Sequence, residues 1–175
     1  MQNVNLGDAK KFVGYNTNGI TNCLELCKCI LRNYGLTNFG SSANIYRLML
    51  EENNKLIYYT QSGLTPQENY KNAIKCIDKH LENGHPIIVG VNHTFNRGIN
   101  EGTTDHFVVI YGREELSKQC IHYLYYEVGK GNPVNGTSNE NRFVYIDSDT
   151  PEFFDVQSQL RGGVRFDVIQ VRPNM

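Results

Sequence analysis

The sequence predicts an α+β fold in which N-terminal helices pack on a C-terminal antiparallel β-sheet, and two observations carry it. Apolar residues in the first half recur at helical spacing between clear start and stop signals. After Gly84 the chain changes to runs of β-branched and aromatic residues separated by Gly, Asn and charged positions. At 175 residues the whole chain, 1–175, reads as a single domain, long enough to bury about 70% of the surface its unfolded form exposes.

Over 23–34, Leu24, Cys27, Ile30, Leu31 and Tyr34 form one apolar face, Asn22 and Glu25 mark a capped start, and Gly35 ends the pattern. The spacing also predicts a shorter helix over 43–52 and a strand over 55–60. The next helix begins at Thr65, with Pro66 at its first position and Glu68 closing a capping box. It carries Tyr70, Ala73, Ile74, Ile77 and Leu81 before Gly84. Strands follow at 86–93, 106–112, 121–128, 142–146 and 164–171, with two long Asn- and Gly-rich connections at 94–105 and 129–141.

Net charge is −1 with both signs interspersed, which argues against nucleic acid or an anionic membrane as the main partner. No apolar run approaches the roughly 18 residues of a membrane span, and MQNVNLGDAKKF lacks the pattern of a secretory signal. The reading is a protein made soluble in the cytoplasm, with any export through another route. The five cysteines read as free thiols of a reducing compartment.

Three of those cysteines, Cys23, Cys27 and Cys29, fall in TNCLELCKCI, at a spacing that matches none of the usual zinc pairs. Cys23 occupies the first turn of its helix, where unpaired backbone N–H groups and the positive end of the macrodipole favour thiolate, so it is the candidate nucleophile. Cys27 and Cys29 read as packing residues. In TTDHFVVIYGRE, His106 opens an apolar strand directly after a polar loop, which completes a Cys/His layout for thiolate catalysis. If the hairpin that follows turns between Leu116 and Ser117, Glu127 stands opposite His106 and accepts its Nδ1 proton. Asp147 is the runner-up and Asp149 a weaker third. The Cys23 backbone N–H and the side chain of Asn18 or Asn16 are candidate oxyanion donors. The loops 94–104 and 129–141 flank this site, and His93, Asn96 and Thr104 are candidate substrate contacts. No metal or organic cofactor is required.

With Cys23, His106 and Glu127 in that order, the chain resembles the papain-like cysteine peptidase superfamily, and more closely its C39-like peptidases and type VI secretion amidase effectors. The helix NCLELCKCILRNYG, the pair PIIVGVNH and TTDHFVVIYGRE, and the strand YLYYEV carry the likeness. Leu24 and Glu25 follow the cysteine where the C39-like group has Gly-Pro, and Glu127 falls where Asp or Asn is usual. The resemblance implies a papain-like fold and a cysteine peptidase or amidase. A peptide, such as a peptidoglycan stem peptide, would be the substrate, the setting that of an antibacterial effector exported by a specialised secretion system, and a cognate inhibitor protein a further partner. The rival readings are a catalytically silent papain-like binding module and a cysteine acyltransferase or deamidase acting on a protein.

Overall fold

The computed structural model describes residues 2–37, 44–53, 55–93, 104–155 and 165–174. Its ten strands are β1 (Val4–Asn5), β2 (Tyr46–Arg47), β3 (Met49–Glu52), β4 (Lys55–Tyr58), β5 (Ile87–Asn92), β6 (His106–Ser117), β7 (Cys120–Tyr126), β8 (Arg142–Ile146), β9 (Glu152–Asp155) and β10 (Phe166–Arg172). The helices are α1 (Cys23–Asn33), α2 (Pro66–Glu82) and the single turn α3 (Pro133–Gly136). Strands β5 to β10 pair antiparallel in chain order, and β10 pairs back onto β5, so the sheet closes into a six-stranded barrel.

This closed barrel with three short helices replaces the expected papain-like arrangement of N-terminal helices on a C-terminal sheet. Part of the difference arises in residues 43–52. Their apolar spacing fits a helix, but the segment forms β2 and β3, and β3 pairs with β4 as a hairpin from Met49↔Tyr58 to Glu52↔Lys55. Asn53, directly after β3, takes a left-handed backbone (φ 50), the turn chemistry that tight hairpins demand. Five of the six barrel strands fall where the sequence predicts them; the four-residue β9 and the two-residue β1, which pairs with β6 through Val4↔Arg113, do not.

Alternation along the barrel strands sorts two cores. Ile87, Val89, Val91, Val108, Ile110, Tyr123, Tyr125 and Phe143 share one core with Tyr70, Ala73, Ile74, Ile77 and Leu81 of α2. The opposite faces of the same strands, through Ile88, Val109, Tyr111, Leu124 and Tyr126, pack against Leu26, Cys27, Ile30 and Leu31 of α1. Each such side chain contributes about 1.5–3 kcal/mol on burial. Strand β5 is therefore buried on both faces.

Local signals set the helix ends. Asn22 caps α1 by accepting the Glu25 N–H at 3.2 Å, while the Glu25 carboxylate turns instead to Lys28. At α2 the full capping box forms, with Thr65 Oγ1 accepting the Glu68 N–H and Glu68 Oε2 accepting the Thr65 N–H. One buried polar side chain ties α2 to the strands before it: Asn69 donates from Nδ2 to the carbonyls of Arg47 (2.8 Å) and Tyr59 (2.9 Å).

Replacing Asn69 by Ala strands those two carbonyls and is expected to cost about 1–3 kcal/mol. Urea unfolding of wild type and variant measures this, and a difference below roughly 0.5 kcal/mol would show that the two bonds contribute little.

Candidate functional site

Cys23 is the first residue of α1, and α1 lies on the outer face of β6. The β6–β7 ladder stops at Val109↔Tyr126, so the first residues of β6 have no strand partner on that edge. The freed Phe107 N–H and the Leu24 N–H both act on the Cys23 thiol and favour its ionised form. His106 opens β6, pairs with Val91 of β5 on its other side and is buried. Glu127, just past the end of β7, has none of its surface exposed.

His106 stands between the other two side chains. Its Nε2 donates to Glu127 Oε1 at 2.5 Å, and the ring also interacts with the Cys23 thiol, for which Nδ1 is the nitrogen left. The expected assignment of Nδ1 to Glu127 is therefore reversed: the carboxylate takes Nε2. The hairpin register also differs. The tip lies at Lys118-Gln119, because Ser117 pairs with Cys120, and two register shifts follow along β6. Continued past Val109↔Tyr126, this register sets Glu127 diagonal to His106 on one face, and its length spans the gap.

Charge follows this geometry. Burial raises the Cys23 thiol, but the hydrogen bond and positive charge of His106, with the N–H groups of Phe107 and Leu24, outweigh it and bring the pKa below the ordinary thiol value. Burial pushes the His106 ring towards neutrality, yet the Glu127 carboxylate and Cys23 together hold its pKa above the ordinary imidazole range. Both shifts favour the thiolate and imidazolium form of the pair. Cys27 has the opposite environment: complete burial, then the neighbouring charges of Cys23 and Glu127, push its thiol well up. Burial raises Cys76 to about 11.

Glu127 is held by its surroundings. Oε1 also accepts the Gly129 N–H at 2.8 Å, and the Glu127 N–H donates to the Gly136 carbonyl at 2.9 Å. Oε2 is buried with no hydrogen-bond partner among the described residues. The segment before the nucleophile is laced to this one, since Tyr15 N–H donates to Val128 O at 2.7 Å and Phe12 packs so closely on Gly136 that a Cβ there would collide with its ring. These backbone groups have no sequence signature beyond the glycines of 129–136.

The other candidates separate. Asp147 is not a triad member: its Oδ1 accepts from Gln67 Nε2 at 2.9 Å, its Oδ2 pairs with Lys71, and its N–H bonds Gln119 at the hairpin tip. That is the far end of β7 from Glu127, roughly 20 Å away at the rise of a strand. Asp149 lies two residues further along the same connection. Asn18 and Asn16 are exposed and adopt left-handed backbone (φ 51 and 66) in the turn before α1; the Cys23 N–H, at the first helical position, lies ahead of the helix's own ladder. His93 stacks on Phe166 at 4.9 Å and stands edge-on to His106 at 6.1 Å. Thr104 is buried beside Gly90, its hydroxyl without a partner among the described residues. Asn96 and the rest of 94–103 lie outside the described residues.

A groove of about 1140 Å³ runs between the C-terminal half of α2 and residues 35–37, 44–46 and 173–174, and none of Cys23, His106 and Glu127 lines it. Cys76 and His80 both line it, with His80 Nδ1 3.7 Å from Cys76 Sγ. That ring is engaged by the backbone, Nδ1 with the Cys76 carbonyl at 2.8 Å and Nε2 as acceptor of the Asn174 N–H at 3.0 Å, and burial keeps the Cys76 thiol protonated. Among the described residues no helix is long and apolar enough to cross a membrane. No family model, no curated protein and no solved structure matches the chain.

Thiolate exists above the lowered pKa of Cys23, and the ion pair persists until pH rises through the raised pKa of His106. At pH 6, iodoacetamide should therefore modify Cys23 at least about tenfold faster than the other four thiols, as read by mass spectrometry of the folded protein. Equal, slow reaction of all five would overturn the activated-cysteine assignment.

Proposed function

We propose that the chain is a cysteine-dependent hydrolase of amide bonds, with Cys23 as nucleophile, His106 as acid and base, and Glu127 orienting the ring. The observation that supports this reading most is His106 set between the Cys23 thiol and a fully buried carboxylate, its Nε2 2.5 Å from Glu127 Oε1. Ion-pair networks that are purely structural seldom place a thiol of lowered pKa at a helix start.

In the first step Cys23 thiolate attacks the carbonyl carbon and a C–S bond forms. The electron pair moves to the carbonyl oxygen, which the Cys23 N–H at the start of α1 is placed to receive. Collapse of this intermediate breaks the C–N bond as His106 gives its Nδ1 proton to the leaving amine, and a thioester and a neutral imidazole remain. Water then gives a proton to Nδ1 as it attacks the thioester. Breaking the C–S bond releases the acid and restores thiolate and imidazolium. Throughout, Glu127 holds Nε2.

The likeness of the segments around Cys23 and His106 to C39-like peptidases and amidase effectors supports a peptide amide, with the peptidoglycan stem peptide as the substrate to try first. It concerns these short segments, and the barrel architecture is not part of it.

Purified sacculi incubated with wild type should release new stem-peptide fragments, and Cys23→Ala should lower the yield on the order of 10³-fold or more. Fragments from neither protein would overturn the cell-wall substrate; equal fragments from both would overturn the nucleophile. Glu127→Gln, which keeps the shape and removes the charge, should lower kcat about 10²–10⁴-fold and bring the alkaline limb of the pH profile to lower pH, because His106 then loses its proton more easily.

A further inference from the structure

Asn141 is buried completely and stands on the connection between Glu127 and β8. Its Nδ2 donates to the carbonyls of Asn135 (2.9 Å) and Gly136 (3.4 Å), the last turn of α3. Its backbone is fixed as well: its carbonyl accepts the Tyr125 N–H at 3.1 Å, and its N–H bonds Ser138 O at 3.1 Å. The Gly136 carbonyl that Asn141 touches is the one that accepts the Glu127 N–H. A single side chain thus clamps α3 between the end of β7 and the start of β8, and Glu127 hangs from the clamped carbonyl.

The opposite side of Gly136 is closed by Phe12, which leaves no room for a Cβ. Gly136 can move neither towards Phe12 nor away from Asn141 without carrying Glu127 with it. Glu127 has little slack of its own, since Oε1 is shared between His106 and the Gly129 N–H. Asn141 and Glu127 each also bury one oxygen with no partner among the described residues. Buried polar groups are normally satisfied, and a cluster kept partly unsatisfied is held by something other than its own stability.

We infer that Asn141 is a positioning residue of the site: it acts through Gly136 to hold Glu127 against His106, and so to keep Cys23 ionised. It touches none of the reacting atoms. This inference rests on the proposal that Cys23 is an activated nucleophile, and the test separates the two. The readout is the pH at which Cys23 alkylation by iodoacetamide is half-maximal, followed by mass spectrometry in proteins whose fold is checked by circular dichroism and thermal melting. It needs no substrate.

In wild type the midpoint should lie below that of an ordinary thiol. Asn141→Ala releases α3, weakens the hold of Glu127 on His106, and should raise the midpoint by about one pH unit, which is about a tenfold loss of alkylation rate at pH 6. An ordinary midpoint in wild type would overturn the nucleophile, and Asn141 with it. A low midpoint in wild type that a folded Asn141→Ala leaves unmoved would overturn the positioning role alone. Should Asn141→Ala fail to fold, Gly136→Ala displaces the same carbonyl from the Phe12 side. It should raise the midpoint alike, and Phe12→Ala added to it should restore the low value; an unmoved midpoint in Gly136→Ala, or no restoration, also overturns the role.

Discussion

A carboxylate with none of its surface in water has to be answered by a positive charge and by hydrogen bonds, or the chain would bury it protonated or not at all. Glu127 is such a group, and the site is organised around that answer. His106 supplies the charge at 2.5 Å and the Gly129 N–H a second donor. Holding His106 protonated has a consequence one bond further on: an imidazolium beside a thiol at a helix start stabilises the thiolate. The order of dependence runs from Glu127 to His106 to Cys23, so the least accessible residue governs the most reactive one.

The barrel makes this chain possible by ending one ladder before the other. Strand β6 continues against β5 as far as His106, while β7 leaves it at Val109↔Tyr126. Between those two points β6 has backbone donors to spare on the β7 side, and α1, seated on the outer face by Leu26, Cys27, Ile30 and Leu31, brings Cys23 to one of them. Four residues further along the same helix Cys27 is sealed in that apolar layer and its thiol is pushed up. Two identical side chains one turn apart thus receive opposite chemistry from position alone.

The parts of the molecule that were legible in the sequence are those fixed by local rules. The Asn22 and Thr65 caps, the apolar faces of α1 and α2, and strands such as Arg142–Ile146 follow from neighbours within a few residues. Cys23 and His106 were legible as a helix start and a strand start, while Glu127 was reached through a hairpin whose tip lies two residues further on than expected, at Lys118-Gln119. Closure of the sheet was not, because pairing of β10 with β5 is a long-range event to which no short segment testifies. Residues 43–52 show the same limit: Leu48 and Met49 suit a helix and a strand equally, and the Asn53 turn, not the apolar spacing, decides for the hairpin. Asp147 was a fair rival on type and sequence distance, and only the direction of β8, which runs away from Glu127, removes it.

The same register explains why the orienting residue is a glutamate. Directly opposite residues on paired strands stand about 5 Å apart at Cβ, and diagonal ones about 7–8 Å. With the hairpin tip at Lys118-Gln119 an unshifted ladder would set Glu127 opposite Ile110; the two shifts along β6 bring it opposite Val108, diagonal to His106, and a longer side chain is then needed to meet Nε2. An aspartate would fall short by about one carbon–carbon bond, roughly 1.5 Å, unless α3 and the backbone it supports moved inward. Since the Gly136 carbonyl holds the Glu127 N–H and the Phe12 ring packs directly on Gly136, such a movement would have to carry that packing with it. The identity of residue 127 and the packing of a loop that never approaches the sulfur are therefore parts of one geometric solution.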